Sequence, residues 1–82
     1  MDKNSLCTEL KGVIQSLLDM PNLELDNDTD LINSGLDIDS LDILELELAL
    51  ERKYDIQEAL SKESLRSINS IADFIIDYKR TH

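Results

Sequence analysis

A chain of 82 residues with one cysteine and 41% hydrophobic residues has room for one modest core. It has no internal disulfide or cysteine-rich zinc site to reinforce that core. Eighteen acidic against eight basic residues give a formal net charge of −10, which disfavours nucleic acid and anionic membranes and suits basic protein surfaces.

Tryptophan is absent and aromatics are 4%, so Leu and Ile must build the core. The charge also predicts self-repulsion and lower stability at low salt. No apolar segment approaches a membrane span, and Met1-Asp2-Lys3-Asn4-Ser5 lacks the apolar region of a signal peptide and the arginine-rich character of a transit peptide. A single-domain, monomeric, cytoplasmic chain is expected.

The first pattern spans residues 4–19, with Leu6, Leu10, Val13, Ile14, Leu17 and Leu18 at helical spacing. Asn4 is the expected cap, and Cys7 reads as a small, partly buried apolar residue. Gly12 costs helicity, for close packing or by simple tolerance. Pro21 is expected to stop the helix, since the residue before a proline is pushed out of the helical region.

Residues 21–38 have no sustained period and read as a long loop, pinned by Leu23, Leu25, Leu31, Ile32 and Leu36, with a helical turn over 30–34. Loops of this length in compact domains are uncommon and often functional. Within it, Asp26-Asn27-Asp28-Thr29-Asp30 places carboxylates as an EF-hand loop begins. Leu31 stands where that motif needs Gly, and Asp37 where it needs a bidentate Glu, so no metal site is expected.

The stretch from Gly35 to Leu46, Gly-Leu-Asp-Ile-Asp-Ser-Leu-Asp-Ile-Leu-Glu-Leu, reads as a loop entering a helix over 40–53. Asp39 is the expected N-cap, which puts the Ser40 hydroxyl in the first turn, where the helix dipole favours an anion. At ~100° per residue, Ile43, Leu46, Leu50 and Tyr54 share one side, and Leu41, Leu44 and Leu48 nearly the opposite side. Asp42 and Glu45 border the stripes on one edge, Glu47 and Glu51 on the other. One stripe suits a core; the second is covered by another element or kept for a partner.

Beyond Tyr54-Asp55-Ile56, Leu60 and Leu65 anchor a connection in which Ser61 is expected to cap a short third helix. The final helix is expected over 70–79. Ser70 and Asp73 form an S-x-x-D box, with Asn69 or Ser67 as alternative caps. Ile68, Ile71, Ala72, Ile75 and Tyr78 make its inner side, and Lys79 and Arg80 suit its C-terminus.

Asp39-Ser40-Leu41-Asp42, with the preceding Gly35, the Leu-Glu-Leu run behind it and the aromatic at Tyr54, resembles the acyl carrier proteins. The resemblance covers most of the chain, roughly residues 6–78. It implies an all-α, four-helix bundle with a long first loop and a short third helix. It also implies 4′-phosphopantetheine attached covalently to Ser40, taken from coenzyme A by a separate phosphopantetheinyl transferase with its magnesium.

Acyl groups then ride as thioesters on that arm for fatty-acid, polyketide or related specialised biosynthesis. The resemblance further implies that partner enzymes with basic surfaces dock on Asp39, Leu41, Asp42, Leu44, Glu45, Leu48 and Glu51. By the same resemblance, the inner side chains of the second and later helices could open to shelter an acyl chain. Lys62, Arg66 and the longer connection after Tyr54 depart from the family's usual acidic tract and bear on the partner set.

No enzyme activity is expected. Nucleophilic serine catalysis needs an oriented base, and the only histidine, His82, is the last residue. Two other readings stay open: a stand-alone peptidyl or aminoacyl carrier, and an unmodified acidic helical adaptor.

Overall fold

A computed structural model describes residues 2–31, 38–61 and 63–81. Three helices are present among them and no strand: α1 (Lys3–Leu17), α2 (Ser40–Tyr54) and α3 (Ile68–Thr81). α1 packs against both α2 and α3.

α1 begins one residue earlier than expected, and Asp2 rather than Asn4 caps it. The Asp2 carboxylate accepts from the Ser5 backbone N–H at 3.3 Å and from its hydroxyl at 3.0 Å. These bonds hold the exposed Asp2 carboxyl below its usual pKa. The helix ends at Leu17, ahead of the expected 19, and Pro21 is not what stops it. Asp19 adopts a left-handed conformation (φ 55°), Asp19 N–H donates to Ser16 O, and Met20 N–H donates to Gln15 O. That is a Schellman closure with aspartate in the usual glycine place. Gln15 Nε2 then donates to Leu23 O at 2.6 Å, pinning the outgoing chain.

Leu6, Cys7, Leu10 and Ile14 form the buried stripe of α1, against Leu46 and Leu50 of α2 and Ile68, Ile71, Ala72 and Ile75 of α3 in one core. A Cβ built at Gly12 meets nothing within 4 Å, so close packing does not explain that glycine. It is tolerated in the helix.

The loops complete the core instead of crossing a surface. Leu25, Leu31, Ile56, Leu60 and Leu65 are all buried, and Leu23 packs at the edge. The acidic stretch after Leu25 is clipped to the start of α3. Asn69 N–H donates to Asn27 O at 2.9 Å, the Asn69 amide to the Asp28 carboxylate, and Leu31 N–H to Arg66 O at 2.7 Å. Arg66 Nε reaches Asp30 at 3.4 Å. The EF-hand-like side chains at Asp28 and Asp30 are thus engaged in holding this loop. Ile32, Leu36 and most of the expected turn over 30–34 lie outside the described residues.

The short helix expected after Ser61 is a turn over residues 63–65 among the described residues. Ser61 does act as a cap: its hydroxyl accepts from Ser64 N–H at 3.1 Å, and Leu65 N–H donates to Ser61 O. The device repeats at α3. Ser67, the alternative, is its cap and accepts from Ser70 N–H at 3.1 Å, so Ser70 lies inside the first turn. Helix α3 therefore starts two residues before the expected position.

Two tyrosines close the end of the bundle in opposite ways. Tyr78 Oη accepts from Gln57 N–H at 3.0 Å, tying the chain after α2 to α3. Tyr54 is buried with a hydroxyl that has no partner among the described residues; burial, then the nearby Glu9 carboxylate, push its pKa up. Burial and Glu9 penalise only the phenolate, so stability is full while the phenol is neutral and falls as pH rises from the ordinary tyrosine range through the raised value. Tyr78→Phe strands a backbone N–H and should cost about 1 kcal/mol. Tyr54→Phe should be neutral or stabilising, because it removes a hydroxyl buried without a partner. Denaturant melts of both variants check the contrast, and equal losses would contradict it.

Candidate functional site

The start of α2 is fixed by a reciprocal pair of carboxylates. Asp39 has extended backbone (φ −97°, ψ −177°), and its Oδ1 accepts from Asp42 N–H at 2.9 Å. Asp42 Oδ2 accepts in return from Asp39 N–H at 3.3 Å. This capping box adds to the cap expected from Asp39. The D-x-x-D spacing carries the signal for it, beyond the expectation of Asp42 as part of the Asp-Ser-Leu-Asp motif and as a docking carboxylate. Ile43 N–H donates to Asp39 O, closing the first helical bond.

Ser40 is the first residue of α2 and is exposed. Its hydroxyl stands at the positive end of the helix dipole, outside the capping pair. An anionic ester there meets first-turn amides and open solvent. The donor set therefore fits a phosphodiester on the serine oxygen. Ile38 packs on the core and holds the incoming chain. Gly35, and with it the preceding part of the motif, lies outside the described residues.

Behind Ser40, α2 sorts its two stripes cleanly. Leu46, Leu50 and Tyr54 are buried and Ile43 is half-buried against the core. Leu41, Leu44 and Leu48 are 61%, 50% and 48% exposed. Among the acidic residues, Asp39 and Glu45 are exposed, while Asp42, Glu47 and Glu51 are half-buried. The loops thus leave the outer stripe open among the described residues. A core under the first loop, which would have hidden it, is built from Leu25 and Leu31 on other surfaces.

The last turn of α2 carries Arg52 and Lys53. Lys53 Nζ lies 3.8 Å from Glu9 and 5.9 Å from the Tyr54 ring centroid. A shallow groove of about 670 Å³ runs beside it between α1 and α2, lined by Glu9, Gly12, Val13, Leu17, Ala49 and Lys53. Leu50, Ile68, Ile71 and Ile75, among the inner residues expected to part for an acyl chain, are fully buried in the core.

Residues 8–75 match a family model described as the phosphopantetheine attachment site. The acyl carrier protein of Coprothermobacter proteolyticus is 28% identical over 75 residues, covering 92% of this chain and 88% of that protein. The acyl carrier protein of Brachyspira hyodysenteriae is 29% identical over 77 residues, covering 93% of this chain and 99% of that protein. No solved structure matches this chain.

Asp39→Ala removes the acceptor of the Asp42 amide and should destabilise the protein by about 1 kcal/mol, whereas Asp39→Asn should lose only part of that. Circular dichroism melts of the two variants check the order. An unchanged midpoint for Asp39→Ala would show that the box does not hold this helix start.

Proposed function

Because the chain belongs to the phosphopantetheine attachment-site family, whose acyl carrier members are carriers and not catalysts, we propose that Ser40 is its attachment residue. On this reading the chain is one carrier domain working in the cytoplasm. None of the described helices is long and apolar enough to cross a membrane, and the charge suits basic protein partners.

The observation that carries the reading is the exposed Ser40 hydroxyl at the capped first turn of α2. Ser40 Oγ attacks the β-phosphate of coenzyme A and gives its proton to a base of the transferase, which also brings the magnesium. The pyrophosphate bond breaks, adenosine 3′,5′-bisphosphate leaves, and phosphopantetheine stays on the serine. The attached group supplies a terminal thiol on which an acyl chain rides as a thioester. Everything else asked of this chain is positioning and recognition.

The capping box fixes where Ser40 stands relative to α2. Leu41, Leu44 and Leu48 offer apolar contact, and Asp39, Asp42, Glu45 and Glu51 steer the approach of basic partners. Asp42 acts first on the cap and contributes its charge from that fixed place. Fatty-acid or polyketide acyl intermediates fit as cargo. An acyl cargo is favoured over an aminoacyl one by the acidic face and by the Asp-Ser-Leu wording.

The test is intact-protein mass spectrometry after incubation with coenzyme A, magnesium and a broad-specificity phosphopantetheinyl transferase. One phosphopantetheine should add to the wild-type protein and none to Ser40→Ala. No addition to a folded wild-type protein with several transferases would point instead to an unmodified adaptor.

A further inference from the structure

We draw no further inference here: the strongest candidate, the shallow groove between α1 and α2 lined by Gly12, Val13, Leu17, Ala49 and Lys53, lies on the side of α2 away from Ser40, and nothing in the structure shows what covers it.

Discussion

The constraint on which the rest depends is the choice α2 makes between its two leucine stripes. Leu50 is fully buried and Leu46 nearly so; each buried leucine contributes about 1.5–3 kcal/mol. Once that side faces α1, the opposite side must face outward, and Ser40, Leu41, Leu44 and Leu48 follow. The inner line gains Tyr54 as a fourth anchor. The outer line is shorter, and the same carboxylates border both lines, so the inner line's larger apolar area decides which side is buried.

Everything near Ser40 is then local. The two carboxylates of the capping box spend their hydrogen bonds on backbone amides, so the start of the helix is defined by groups within four residues. The hydroxyl itself is left out of that arrangement and exposed. On the proposed reading of Ser40, the attachment point must be rigid in position and free in access, and a capped first turn at the edge of a small core suits both. The same economy recurs at Ser61 and Ser67, where hydroxyls cap a turn and a helix from three residues away.

Much of this was legible in the residues. The period of α1, the two faces of α2 and the inner side of α3 follow from apolar spacing, and Asp39 as a cap follows from its place before the run. What was misjudged lies where several residues could serve equally well. Asp2 and Asn4 both lie at the start of the α1 pattern, and the hydrogen bonds to Ser5 choose Asp2. Ser67, Asn69 and Ser70 compete at α3, and the clip from Asn69 to the loop at Asn27 removes Asn69 from that competition. Asp19 ends α1 through a left-handed conformation that sequence rules assign first to glycine. The short third helix is expected from Ser61 as a cap and Leu60 and Leu65 as anchors, and among the described residues one capped turn serves that connection. Contacts such as Tyr78 with Gln57 join residues far apart in sequence and leave no local signature.

The central claim is that α2 anchors with one face and presents the other, together with Ser40, to partner enzymes. Amide chemical shifts of the labelled protein, followed while a phosphopantetheinyl transferase is titrated in, test it most directly. The account predicts perturbations concentrated at Ser40, Leu41, Leu44, Glu45 and Leu48, with Leu10, Ile14, Ile71 and Ile75 unmoved. Perturbations centred on α1, α3 or the groove beside Gly12 and Ala49, with the outer stripe of α2 unchanged, would contradict it.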